Sequence, residues 1–129
     1  MKQSVLVVDD AKNILMVLEM SLKNAGYRVF TARDGVSGLQ LAQEEKPDLI
    51  LLDILLPKMN GFLVFEALQE EPETENIPVV FLSARAEKED LDKAISMGAV
   101  DYLVKPVNQE EFLSTVKKYV SGGGGDAGE

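Results

Sequence analysis

The sequence predicts a doubly wound α/β fold, a five-stranded parallel sheet with helices on both faces. Two observations carry this. Short apolar runs alternate five times with longer amphipathic stretches along 129 residues, the rhythm of repeated strand–helix units. The runs themselves, such as Val5–Val8 and Leu49–Leu52, are continuously apolar. That is how strands read when both of their faces are buried under helices.

Ser4–Val8 is the first strand. Ala11–Ala25 follows as a helix, with Ile14, Leu15, Leu18 and Leu22 at helical spacing and Gly26 as its stop. Tyr27–Thr31 is a shorter, less apolar strand suited to a sheet edge. Asp34 caps a helix running to about Glu45, with Val36, Leu39 and Ala42 inward. Asp48–Leu52 is the most apolar strand and belongs at the centre. Asn60 caps the third helix, whose stripe is Phe62, Phe65 and Leu68. Glu70–Asn76 is acidic, contains Pro72 and reads as a solvated loop. Pro78–Leu82 is the fourth strand, Glu87–Met97 a helix closed by Gly98, and Val100–Val104 the fifth strand. Asn108 caps the last helix with Glu111 three residues on, the pattern of a capping box; Phe112, Val116 and Val120 form its apolar edge.

Five such units suit the flavodoxin-like strand order 2-1-3-4-5, in which ligands sit outside the carboxyl ends of the strands. Residues 1–120 form one domain. Ser121–Glu129 is glycine-rich and polar and reads as a flexible tail or linker.

Composition narrows the chemistry. Neither apolar run approaches the ~20 residues a membrane-spanning helix needs, and the N-terminus lacks the architecture of a signal peptide. With no cysteine, there is no disulfide framework and no thiolate metal site; a cytoplasmic location is expected. The net charge is −9 and the basic residues are scattered, so attraction to nucleic acid or to an anionic membrane is not expected. Histidine is absent. That removes the commonest general base and zinc ligand, and with them the histidine-dependent nucleophilic mechanisms. Carboxylates, hydroxyls, lysine and a hard metal ion remain.

The strand ends supply that repertoire. Asp9 and Asp10 follow the first strand, Asp53 the third, Ser83 the fourth and Lys105 the fifth, with Pro106 next. The predicted order makes strands one and three neighbours, so three carboxylates crowd one edge of the sheet. They repel strongly in a low-dielectric cleft. Lys105 offsets one charge, and a divalent cation offsets the rest. All-oxygen ligands suit Mg²⁺ or Mn²⁺. The set fits phosphoryl transfer to a carboxylate, with Asp53 as nucleophile, Asp9 and Asp10 on the metal, and Ser83 and Lys105 on the phosphoryl oxygens.

The segments Val8-Asp9-Asp10, Leu52-Asp53, Pro57-Lys58-Met59-Asn60-Gly61, Ser83-Ala84 and Lys105-Pro106 resemble, in order and spacing, the signatures of response-regulator receiver domains of the chemotaxis-regulator type. The resemblance covers about Gln3 to Val120. It implies a phosphoryl-accepting switch of a two-component system or phosphorelay, rather than an enzyme beyond slow self-phosphorylation and self-dephosphorylation. Carried over by position, Asp53 is the phosphoacceptor. Asp10, Asp53 and the Leu55 backbone carbonyl bind Mg²⁺, with Asp9 on the ion or its water. Ser83 and Lys105 bind the phosphoryl group, and Ser83 and Tyr102 form the switch. The implied partners are a histidine kinase or histidine phosphotransfer protein, a downstream protein target, and a second copy in a weak homodimer. The family also places a cis bond before Pro106. Asn60 stands where aspartate is more usual, and either residue caps the helix. Leu55 and Arg85 occupy positions that influence phosphoryl lifetime in the family.

Singly, these residues have plainer readings. Asp9–Asp10 would cap a helix, Lys105 would be a solvated lysine, Tyr102 a half-buried aromatic on an edge strand and Met59 a core residue. Gly61 reads as a site of close backbone packing. Two other functions compete with the switch. A phosphorylation-independent interaction module would have shed acidic or lysine positions, and all are present. An enzyme on this fold would need a flavin phosphate loop, a G-x-G-x-x-G turn, or a second Asp two residues after the nucleophile; Asp9–Asp10 would repel a flavin phosphate, the glycine turn is absent and Leu55 occupies the last position.

Overall fold

A computed structural model describes residues 2–84 and 87–120. The strands are β1 (Ser4–Val8), β2 (Arg28–Ala32), β3 (Leu49–Asp53), β4 (Val79–Ser83) and β5 (Asp101–Val104). The helices are α1 (Lys12–Asn24), α2 (Gly35–Glu45), α3 (Gly61–Gln69), α4 (Lys88–Met97) and α5 (Gln109–Val120). All pairings are parallel and the order is β2-β1-β3-β4-β5, as the alternation predicts. The proposed tail and Arg85 lie outside the described residues.

Side chains alternate across the sheet with period two, which makes two cores from one set of strands. Val5, Val7, Leu49, Leu51, Val80 and Leu82 pack with Leu15, Leu18 and Leu22 of α1 and Phe112, Val116 and Val120 of α5. Leu6, Val8, Ile50, Leu52, Val79 and Phe81 pack on the other side with Ala42, Val64, Phe65, Leu68 and Ala94 from α2, α3 and α4. Phe81 anchors this second layer, with the Phe62 and Phe65 rings 5.3 and 5.6 Å away.

The caps form where expected. Asp34 accepts from the Ser37 backbone N–H at 2.8 Å, Asn60 from Leu63 at 3.1 Å and Asn108 from Glu111 at 3.0 Å. Gly98 closes α4 in the left-handed region at φ 110°, where glycine carries no steric cost.

Two expectations need correction, the place of Val36 and the strand bounds. Val36 is 51% exposed rather than inward; the inward positions of α2 are Gly35, Gly38 and Ala42, because small residues let the helix sit close on Val8, whose methyl carbons a Gly38 Cβ would meet at 2.9 Å. The Glu70–Asn76 segment is a loop with Glu70, Glu71, Glu73 and Glu75 exposed, as expected, and Thr74 among them is buried, its hydroxyl donating to the Leu68 carbonyl at 2.6 Å at the end of α3. Strands β2 to β5 each begin one residue later than their apolar runs suggest, and β2, β3 and β4 end one residue later.

Candidate functional site

The site is built by register. Val8 pairs with Leu52 across β1 and β3, so Asp9, the next residue, arrives beside Asp53 at the end of β3. Asp53 pairs with Leu82 and Ser83 pairs with Val104, which brings Ser83 and Lys105 to the same edge. The Lys105 backbone N–H donates to the Ser83 carbonyl at 2.8 Å, and the Lys105–Pro106 peptide is cis, as the resemblance implied.

Lys105 closes the arrangement. Its Nζ lies 2.6 Å from Asp9 Oδ2 and 2.8 Å from Asp53 Oδ2. Asp9 is fully buried and Asp53 is 6% exposed. Each carboxylate spends its other oxygen on the turn that follows: Asp9 Oδ1 accepts from the Ala11 N–H at 2.9 Å and Asp53 Oδ1 from Leu55 at 3.2 Å. Burial pushes the Asp53 carboxyl up from the usual carboxylate range, Asp9 adds to that, and the hydrogen bond and charge of Lys105 oppose it without winning. Burial would lower the Lys105 ammonium, but its contacts with Asp53 and Asp9 outweigh burial and hold it above the ordinary lysine value.

Gly61 sits against the carbonyl of Asp53, which a Cβ would strike, and its N–H donates to the Ile54 carbonyl at 2.8 Å. Close packing is thus the reason for glycine there. Met59 is half-buried against the Phe81 layer. Ser83 is buried, while Tyr102 is partly buried, packs against the same layer and pairs with Phe81.

Asp10 differs from the other two acids: it is exposed, and no group of three acidic side chains converges among the described residues. The structure joins Asp9 and Asp53 through Lys105 rather than crowding three carboxylates together. The donors nevertheless suit a hard divalent cation. They are all oxygen, and Asp9 Oδ2 and Asp53 Oδ2 already converge on a cation, Lys105 Nζ, at 2.6 and 2.8 Å. Asp9, Asp10, Asp53 and the Leu55 carbonyl are the groups able to hold it. Sequence reasoning misses Arg33, whose Nη2 donates to the Asp10 carbonyl at 3.2 Å. An isolated arginine after an edge strand carries no pattern that would single it out.

Beside Lys105 lies an apolar groove of about 230 Å³ between α1 and the loop after β5, lined chiefly by Ile14, Val17, Leu18, Pro106 and Val107. Among the described residues, no helix is long and apolar enough to cross a membrane.

Residues 5–117 match the family described as the response regulator receiver domain. Protein PilH of Pseudomonas aeruginosa is 36% identical over 118 residues, which cover 92% of this chain and 98% of PilH. The DNA-binding dual master transcriptional regulator RpaA of Synechocystis is 41% identical over 113 residues, covering 88% of this chain. This chain spans about half of RpaA's length, 47%, and 48% of the Bacillus subtilis alkaline phosphatase synthesis regulator PhoP, to which it is 39% identical. Among solved structures, the Vibrio cholerae chemotaxis protein CheY4 superimposes with a TM-score of 0.87 at 33% identity, covering 92% of this chain and 99% of CheY4. The receiver domain of the Pseudomonas aeruginosa sensor histidine kinase PA1611, solved with a magnesium ion in its active-site cleft, does so at 0.86 and 27% identity, covering 94% of this chain and 99% of that one. With one lysine holding two buried aspartates at the carboxyl end of a 2-1-3-4-5 sheet, and with these matches, the chain belongs to the response regulator receiver domains of two-component systems.

Proposed function

We propose that Asp53 accepts a phosphoryl group and that Mg²⁺ or Mn²⁺, held by Asp9, Asp10, Asp53 and the Leu55 carbonyl, assists. The observation that supports this best is the position of Lys105 Nζ, within 2.8 Å of Asp53 and 2.6 Å of Asp9. A cation fixed there is placed to bind an oxygen of an incoming phosphoryl group. A carboxylate oxygen of Asp53 bonds to phosphorus while the P–N bond of a donor phosphohistidine breaks, and the donor nitrogen leaves with the electron pair. Lys105 then turns from the carboxylate to a phosphoryl oxygen. The Ser83 hydroxyl donates to another. When bound, the divalent cation offsets the charge gathered by the carboxylates and the phosphoryl oxygens.

The donor is a histidine kinase or histidine phosphotransfer protein, since this chain contains no histidine. The groove beside Lys105, and Met16, Val17 and Met20 exposed on α1, give it an apolar landing area next to the acceptor. Phosphorylation draws Ser83 toward the new oxygens, and Tyr102 turns into the space released. The surface of α4, β5 and α5 is thereby biased toward a second state that a downstream protein reads. Ile95 and Val104, exposed on that surface, also suit a weak homodimer. The protein acts in the cytoplasm as a switch, with no turnover beyond slow gain and loss of its own phosphoryl group.

Intact mass after incubation with Mg²⁺ and a small acyl-phosphate donor tests the acceptor. Wild type gains one phosphoryl group, and Asp53→Ala gains none. A wild type that stays unmodified both with that donor and with a phosphorylated phosphotransfer protein would overturn the reading.

A further inference from the structure

The corner from β2 into α2 runs through Arg33 and Asp34 to Gly35, the first residue of the helix, and it touches the loops after β1 and β3. Arg33 reaches to the loop after β1: its Nε and Nη2 lie 3.4 and 3.2 Å from the Asp10 carbonyl oxygen and donate to it. Just before the corner, Ala32 accepts from the Asp9 N–H at 3.0 Å. Gly35 reaches the other way, to the loop after β3. Its N–H donates to the Pro57 carbonyl at 3.2 Å, and a Cβ on it would run into the Met59 carbonyl. Within that loop Lys58 adopts φ 70°, a left-handed turn that a lysine keeps only when its surroundings hold it.

Capping of α2 accounts for Asp34 and Ser37 alone. It explains neither an arginine donating to the carbonyl of a loop on the adjacent strand, nor a glycine set backbone-to-backbone against a loop two strands away. Two guanidinium nitrogens on one carbonyl, though at 3.4 and 3.2 Å and exposed to solvent, fix its direction more than they add stability, and a backbone approach that excludes a Cβ has little play. Both contacts end on segments that carry groups assigned above to the cation: Asp10 on one side, the loop that carries Leu55 on the other.

We propose that Arg33 and Gly35 are positioning residues that set the separation of these two loops and thereby the affinity of the Asp53 site for a divalent cation. The proposal rests on the metal-assisted reading of that site. It makes a prediction opposite in sign to simple electrostatics. Removing a positive charge beside an acidic site should tighten cation binding. Removing the contact that orients Asp10 should weaken it.

The experiment is calorimetric titration with Mg²⁺, alongside thermal melting in EDTA, for wild type, Arg33→Met, Arg33→Lys and Gly35→Ala. Arg33→Met is expected to bind roughly tenfold more weakly, the scale on which ligand-orienting groups act, with its metal-free melting unchanged because Arg33 is exposed. Arg33→Lys keeps the charge but not the two-nitrogen reach, and should also bind more weakly than wild type. Gly35→Ala tests the second loop, and weakened binding with a cooperative melt supports the clamp. Affinity at or above the wild-type value in Arg33→Met overturns the proposal, as does wild-type affinity in Gly35→Ala. A wild type that binds no Mg²⁺ instead overturns the metal-assisted reading of Asp53, a result distinct from variants that match a wild type that binds.

Discussion

Lys105 decides the electrostatics of the site, because a single ammonium satisfies two buried carboxylates. Truncating one partner of such a set leaves charges uncompensated. Lys105→Met should therefore cost about 3 kcal/mol at neutral pH, the lower end of what breaking a buried ion pair costs. Urea unfolding in EDTA measures it, and the deficit should shrink in acid as Asp53 protonates. Asp53 has the opposite character. Its carboxyl is raised by burial, so the fold binds that proton more tightly than the unfolded chain does. The resulting stability is fully present below the ordinary carboxylate range and is lost as pH rises through the raised folded value. Asp53→Asn removes that dependence. In metal-free buffer, wild type should lose stability relative to the variant as pH rises from acid toward neutral, and parallel curves would contradict a raised carboxyl. Asp9, Asp53, Ser83 and Lys105 were legible in the sequence because each sits just past or at the end of an apolar run, where chain order alone specifies the sheet edge. The exposure of Asp10 was not, because it depends on how a turn folds rather than on the strand it leaves.

Helix starts were the most legible features of the secondary structure, since Asp34, Asn60 and Asn108 each combine a short polar side chain with an apolar stripe behind it. Asn108→Ala should lower stability by about 1 kcal/mol, the usual cost of losing such a cap, visible as a shifted urea midpoint with an unchanged slope. The predicted strands begin one residue early, at Tyr27, Asp48, Pro78 and Val100, because the bonding between strands starts before the paired residues do: the Asp48 N–H donates to Ser4, the Pro78 carbonyl accepts from Ile50 and the Val100 N–H donates to Val79. The acidic segment after α3 is the solvated loop its composition predicts, with one exception. Its four glutamates dominate the composition, and the one buried hydroxyl, Thr74, is hidden among them. Thr74→Val keeps the shape but loses the bond to Leu68, which should cost about 1 kcal/mol by the same assay.

The sheet order followed from counting strand–helix units, but the division of the helices between its faces required the structure. Phe81 is the test of that division. It is fully buried in the layer under α2, α3 and α4, so Phe81→Ala should remove about 3–5 kcal/mol, a large share of the ~5–15 kcal/mol that a domain possesses. A melting curve that stayed near wild type would mean that this layer is not tightly packed. Helices α1 and α5 share the other layer, so the groove beside Lys105 and the helix at the readout surface rest on one slab of side chains. That slab ends where Gln3 donates to the Val120 carbonyl at 3.3 Å, at the pole of the sheet opposite Asp53. Val120 thus lies on the far side of the molecule from Asp53. The 12 residues of α5 make a helix roughly 18 Å long at 1.5 Å per residue. A displacement that starts at one end of α5 and is felt at Val120 has to travel that helix as a push-rod.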